Sequence, residues 1–464
     1  MRMKKYLILA LVIAAGSFAA WKISEHASDI RADLGLENPS WLEVDSAAAI
    51  RARTVADFPL TREELLAEIV KTHPEVTDAD IDTFLARRYL EAITLDDGSL
   101  RFFRKSMRNL NLLHPDYNGG ARRRGDRASA ARISYADSII AYYNGSNPEG
   151  RSHRVTYRFS IDVPYAKDLE GDTLRVWMPV PLDSTRCDRQ RNVRIIDAEP
   201  SQYTLSGHRS PHNSIYFEAP APAKGDTARF EYVGSFITSG VWKPEADILA
   251  SLKPYDRNSQ LYKRYTTLPD GPHIVPLDSL AHAIVGAETN PYRQSEKVFD
   301  YIISRYPWAG AREYSTIDCM PQYVVRERHG DCGQVSLLYI SLMRSLGVPA
   351  RWESGWMLHP GELNLHDWAE VYYEGIGWLP VDVSFGRYTT SDNKDITGFY
   401  SHGIDAHRFA ANKAVGSEFF PPKRFVRSET VDFQTGEVES KKGNLYYPAW
   451  KYRMELIDVT PVRD

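Results

Sequence analysis

The sequence predicts an α+β protein: an N-terminal helical region, then a β-sandwich-like module, then a mixed helix-and-strand core that carries the chemistry. Three observations lead there. Apolar residues recur at helical spacing over 45–117, and short β-rich runs punctuated by Gly, Pro, Asp and Asn fill 151–240. Residues 329–386 then combine one amphipathic helix with two strand-like runs and hold a Cys, a His and an Asp.

Length and charge bound the rest. With 464 residues the chain exceeds one ordinary domain and divides naturally into roughly three units. We place a leader at 1–20, a helical region at 45–117, a linker at 118–150, the sandwich at 151–240, the catalytic unit at 241–390 and a β-rich extension at 391–464. The 57 basic and 61 acidic residues leave a net charge of −4, which gives no electrostatic case for nucleic acid as a partner. Tyr (27) and Trp (10) are abundant, as befits β-rich cores with amphipathic aromatics at their edges or binding clefts.

The first residues carry Arg2, Lys4 and Lys5 ahead of an apolar run from Tyr6 to Ala15 and small residues to Ala20, the layout of a secretory leader. This predicts an extracytoplasmic protein, periplasmic or secreted, that meets a membrane only through this segment if it stays uncleaved. In TREELLAEIVKTH, Thr61 and Glu64 match a capping box, and Leu85, Tyr89, Leu90 and Ile93 trace a further apolar face, so this region reads as a small helical unit outside the catalytic machinery. NGGARRRGDRASAARIS, from Asn118, is rich in Gly, Ala and Arg and reads as a loop. YRFSIDV, TLRVWMPVP, NSIYFEAP and TARFEYVGSF supply the strands of the sandwich.

The stretch HGDCGQVSLLYISLMRSLGVPAR, 329–351, places Val335, Leu338, Leu342 and Leu346 on one helical face. Asp331 with Gln334 caps its start, and Gly347 and Pro349 end it. Cys332 thus falls at a helix N-terminus, where free backbone N–H groups and the dipole favour a thiolate. A lone Cys is more often a small buried hydrophobe. The segment HDWAEVYYEGIGWLPVDV, 366–383, changes that balance by supplying His366 and Asp382 on two strands of a hairpin turning near 374–377. They can meet only if even positions pair with even ones. Cys332 as nucleophile, His366 as base and Asp382 as orienter then make a catalytic triad. The Cys332 N–H is a first oxyanion donor, and Gln322, Trp308 or Gln334 is the candidate for a second.

In order and density these motifs resemble the transglutaminase-like superfamily, a branch of the papain-like cysteine enzymes. GDCGQVSLLYISLMRSLGVPAR is similar to its Cys helix, and HDWAEVYYEGIGWLPVDVSFG to its His strand, Gly-Trp turn and Asp strand. The resemblance implies a papain-like transglutaminase core over about 290–386, the triad Cys332, His366 and Asp382, and acyl transfer from an amide through a thioester. Its substrates would be peptide, protein or cell-wall amides. The family's breadth favours hydrolysis over cross-linking, with protein-glutamine transglutaminase or a non-catalytic scaffold as alternatives.

No DxDxDG loop is visible, so neither metal nor cofactor is expected. His402 and His407 flank Asp405 without a trusted metal spacing and read as surface histidines. Trp356, Trp368 and Trp378 are candidates for a substrate groove or for packing around the hairpin. Glu370 reads as a partner for Arg344 or Arg351. Of the three cysteines, Cys187 and Cys319 are expected as thiols, because a chain this large needs no staples.

Overall fold

The structure, a computed structural model, describes residues 40–388, 391–446 and 448–463; the expected leader at 1–20 lies outside them. The chain begins with α1 (Ser40–Asp57), α2 (Arg62–Ile69), α3 (Asp78–Ala86), the antiparallel pair β1 (Ala92–Thr94) and β2 (Leu100–Phe102), and α4 (Ser106–Leu113). Helix α2 starts at the expected capping box: the Thr61 hydroxyl accepts from Glu64 N at 3.1 Å while Glu64 accepts from Thr61 N at 2.9 Å. Leu65, Ile69, Ile81, Phe84 and Phe102 form the small core of this unit.

The expected linker at 118–150 is instead mostly the 25-residue helix α5 (Gly119–Tyr143). The Gly and Arg of its first half hide the pattern of its second, where Ile133, Ala136, Ile139 and Ile140 share a face. That face packs on Trp242, Phe399 and Tyr400.

The next strands are β3 (Ser152–Pro164), β4 (Thr173–Pro179), β5 (Gln190–Glu199), β6 (Thr204–Leu205), β7 (Ser214–Pro220) and β8 (Thr227–Ser239). Alternation decides their faces: Val155, Tyr157, Phe159, Ile161 and Val163 of β3 are all buried, and they meet Leu174, Val176, Ile215 and Phe217 from β4 and β7.

Short helices α6 (Glu245–Ser251), α7 (Gln260–Thr266) and α8 (Asp278–Val285) lead to α9 (Pro291–Arg305), α10 (Met320–Glu327) and α11 (Cys332–Ser345). Strands β9 (Ala350–His359), β10 (Glu362–Tyr373) and β11 (Gly377–Val381) follow. Val335, Leu338 and Leu342 of α11 are buried, as their spacing requires, against Trp352, Ala369, Val371 and Val381. The β10–β11 hairpin pairs Tyr373 with Gly377 and Glu370 with Pro380, the even-with-even register.

The last segment runs through α12 (Lys394–Thr397), α13 (Phe399–His402), β12 (Arg408–Asn412), β13 (Glu437–Glu439), β14 (Asn444–Leu445) and β15 (Lys451–Val462). It is no appended extension. Strand β12 completes the sheet β11-β10-β9-β12, β13 and β14 complete β14-β13-β4-β7-β6, and β15 closes β15-β3-β8-β5. Each arrival pairs an edge that would otherwise present bare N–H and C=O groups. The sheet β11-β10-β9-β12 is thus stitched to the sandwich, and Trp356, Leu358 and Phe409 sit in the sandwich core. No described helix is long and apolar enough to cross a membrane.

Candidate active site

Cys332 is the first residue of α11. Asp331 caps the helix, its carboxylate accepting from Gln334 N at 3.2 Å while the Gln334 amide oxygen accepts from Asp331 N at 3.1 Å. Tyr314 donates its hydroxyl to Asp331 at 2.5 Å, and the segment around Trp308 bridges Gly330, so the chain on both sides of Cys332 is pinned. Gly333 is required by closeness: a Cβ there would lie 2.4 Å from the Tyr314 hydroxyl and 2.8 Å from Asp367 Oδ2.

Cys332 opens onto a cleft of about 390 Å³. Besides Cys332 itself and Asn364, Leu365 and Asp367 of β10, three other parts of the chain build it. Arg53, Arg104, Lys105 and Arg108 come from the N-terminal helical unit, Trp308 and Tyr314 from the loop before α10, and Glu429, Asp432 and Gln434 from the C-terminal segment. The helical unit expected to stand outside the machinery is therefore a wall of the cleft. It is docked there by Asn109, whose amide donates to Gly310 O at 3.0 Å and accepts from Gly310 N at 2.9 Å.

His366 and Asp382 meet as the register demands, His366 Nε2 lying 2.7 Å from Asp382 Oδ2. Asp382 N donates to Tyr400 O at 2.9 Å, and Arg408 Nη1 stands 2.9 Å from Asp382 Oδ2. Burial works to raise the Asp382 carboxyl, yet His366 and Arg408 hold it below the ordinary range. Burial lowers His366 despite Asp382, with Arg408 and Arg132 pushing the same way.

Alternation along β10 sets the relation of this pair to the thiol. Ala369, Val371 and Tyr373 point to α11, as does Asp367, whose Oδ2 lies 3.7 Å from Cys332 Sγ. His366 lies on the other face with Trp368, Phe385 and Arg408, and it does not line the cleft. The structure thus joins His366 to Asp382 and Cys332 to Asp367. Burial and the carboxylates of Asp367 and Asp331 push the Cys332 thiol well up, the reverse of the depressed thiol expected at a helix start. Asp367 is itself raised by burial, Glu429 by burial and Asp432, and Asp432 by burial and Asp367. Gln434 ties the two faces together, its amide donating to His366 O at 3.1 Å and to Asp367 Oδ1 at 2.7 Å.

The remaining candidates scatter. Trp308 lines the cleft, with Arg108 4.9 Å over its ring. Gln334 is buried, its amide oxygen held in the cap while its Nε2 has no partner among the described residues, and Gln322 is exposed on a separate depression beside Leu277. None of the three groove tryptophans lines the cleft. Trp356 donates to Gln434 O at 2.9 Å from within the sandwich core, Trp368 is fully buried and donates to Glu353, and Trp378 carries Arg351 3.9 Å over its ring. Packing claimed all three because they lie on strands covered on both faces. Glu370 binds Arg351 at 2.6 Å, while Arg344 goes to Asp270. All three cysteines are free thiols, and burial pushes Cys187 up to about 12. His402, Asp405 and His407 are buried, against the surface reading. His402 bonds Tyr373 at 2.7 Å, and Asp405 gathers His359, His407 and Arg408.

Sequence reasoning missed Asp367, Arg408, Glu429 and Asp432. For Asp367 a signal existed: the neighbour of a strand residue faces the opposite side, and the odd positions of β10 are the apolar ones that must cover α11. The other three come from a segment whose path no local pattern encodes.

Residues 278–383 match the family model of the transglutaminase-like superfamily. The protein YebA of Bacillus subtilis, of uncharacterised activity, is 30% identical over 169 residues, covering 30% of this chain and 22% of that one, so the match spans about a fifth of that relative. Among solved structures, a candidate cysteine protease from Cytophaga hutchinsonii is 15% identical with a TM-score of 0.43, covering 66% of this chain and 91% of its own. The periplasmic domain of TgpA from Pseudomonas aeruginosa is 13% identical with a TM-score of 0.27, covering 50% and 88%. The capped Cys helix and the His-to-Asp hairpin that follows it therefore form, over 278–383, a domain of the transglutaminase-like superfamily.

Proposed function

We propose that the protein is an exported, cysteine-dependent acyl-transfer enzyme acting on peptide or related amides. The observation that carries this is Cys332 at a capped helix N-terminus on the wall of a cleft, next to a strand whose His366 is already paired with Asp382. Sγ attacks the amide carbonyl, the C–N bond breaks, the thiol proton passes to the leaving amine, and a thioester remains. Water then adds to the thioester and the thiol is regenerated. The Cys332 N–H is the first oxyanion donor, and Trp308, which lines the cleft, is the candidate for the second.

The triad reading gives the thiol proton to His366. A second reading, favoured by the 3.7 Å contact, gives it to Asp367. A library of peptides containing Gln and Lys, incubated with wild type and single variants and resolved by mass, separates hydrolysis, deamidation and cross-linking. Cys332→Ala abolishes every product; retention of any product overturns the proposal. His366→Ala with activity lost and Asp367→Asn with activity kept supports the triad, and the converse supports Asp367.

A further inference from the structure

Three histidines and an aspartate converge on the far side of the catalytic sheet, remote from Cys332. His359 ends β9, while Asp405 and His407 immediately precede β12, and Leu358 N donating to His407 O at 2.8 Å holds the two segments in register. His359 Nε2 is 3.0 Å from Asp405 Oδ1, and His407 Nδ1 is 3.7 Å from the same oxygen. One ligand atom from each of the three residues falls within 4.8 Å of the others, and all three residues are buried. His153 of β3 approaches from the sandwich, its ring 4.9 Å from that of His407.

We infer that His359, Asp405 and His407, with His153 as the fourth donor, form a binding site for a divalent transition metal of the zinc class. Imidazole nitrogens with one carboxylate oxygen suit such an ion and do not suit calcium or magnesium. His407 Nδ1 faces Asp405 Oδ1 at a distance too long for a hydrogen bond, and among the described residues it has no partner; the same holds for His153 Nδ1. The second oxygen of Asp405 is already fixed by the Tyr400 hydroxyl at 2.7 Å and Arg408 Nη2 at 2.9 Å, and Oδ1, which accepts from His407 N at 2.8 Å, faces the rings with its remaining lone pair. Tetrahedral coordination spaces nitrogen and oxygen ligands about 3.3 Å apart, so the widest pair must close by about 1.5 Å, within reach of imidazole ring rotation.

The ion would tie together β3 of the sandwich, β9 of the catalytic sheet and the segment entering β12. It is a structural clamp, joined to the His366–Asp382 pair only through Arg408, which contacts both Asp405 and Asp382. The test uses the full chain, stripped with a chelator and titrated with Zn²⁺ by calorimetry, with metal content read after dialysis. One equivalent is expected, with a raised thermal midpoint. His359→Ala and His407→Gln should each weaken Zn²⁺ binding at least about tenfold, with an unchanged circular dichroism spectrum, and His153→Ala should weaken it less. If His359→Ala fails to fold, His407→Gln decides. Failure of wild type to bind, binding unchanged in His407→Gln, or binding lost only in Cys332→Ala would each overturn the site.

Discussion

The 3.7 Å contact between Cys332 Sγ and Asp367 Oδ2 sets how the thiol behaves at rest. Burial above all, and then Asp367 and Asp331, disfavour its anion, so alkylation by iodoacetamide should be slow at neutral pH and accelerate as pH rises. Asp367→Asn removes one of those charges and should speed labelling by about tenfold for each unit the thiol pKa falls. A variant that labels no faster than wild type at any pH contradicts the placement of Asp367. The His366–Asp382 pair was legible in the sequence because a hairpin turning at 374–377 admits few registers, and only one parity lets the two meet. Which face of β10 the helix covers was equally available, in the apolar odd positions Ala369, Val371 and Tyr373.

Among the elements, those with dense local coding were legible and those held by distant partners were not. Helix α11 declares itself through its apolar stripe, cap and stop. Helix α5 has an apolar face only in its second half, so composition outweighed periodicity and the segment read as a loop. Strand β13, three residues long, carries no periodicity at all, and buried charge anchors it. Glu437 is fully buried and takes both Arg427 and Lys423, and Glu439 beside it takes Arg175 of β4. Glu437→Ala should cost about 3–5 kcal/mol, because it leaves buried Arg427 with carbonyl partners only and Lys423 with only the longer 3.7 Å contact to Glu439. Chemical denaturation measures this, and a loss below 1 kcal/mol would mean that the cations find other partners or water.

At the scale of the whole molecule, three buried or half-buried histidines, His153, His273 and His329, are each lowered to about 4, chiefly by burial. Each binds its proton more readily unfolded, at about 6.5, than folded. The stability they contribute is therefore present above pH 6.5 and is lost as pH falls toward 4. Asp367, Glu429 and Asp432, raised by burial, act in the opposite sense, so the histidine share is best isolated by substitution. Over that interval the thermal midpoint of His329→Gln should fall less steeply than that of wild type, by up to about 3 kcal/mol of stability at the acid end. Parallel curves would contradict a buried neutral His329. The general order of the fold, helices then sandwich then catalytic core, was legible from composition. The weaving of the last segment through all three larger sheets was not, since strand-like runs do not say which edge they will join. Strand β15 pairs with β3 along nearly its whole length, and Arg158 meets Glu455 across 297 positions of sequence. On the ribosome, therefore, β3 must wait unpaired on that edge until almost all of the chain has emerged, and the sheet cannot close during synthesis. A chain that reaches its final topology so late remains threadable until translation is nearly finished, which is the state an export channel requires.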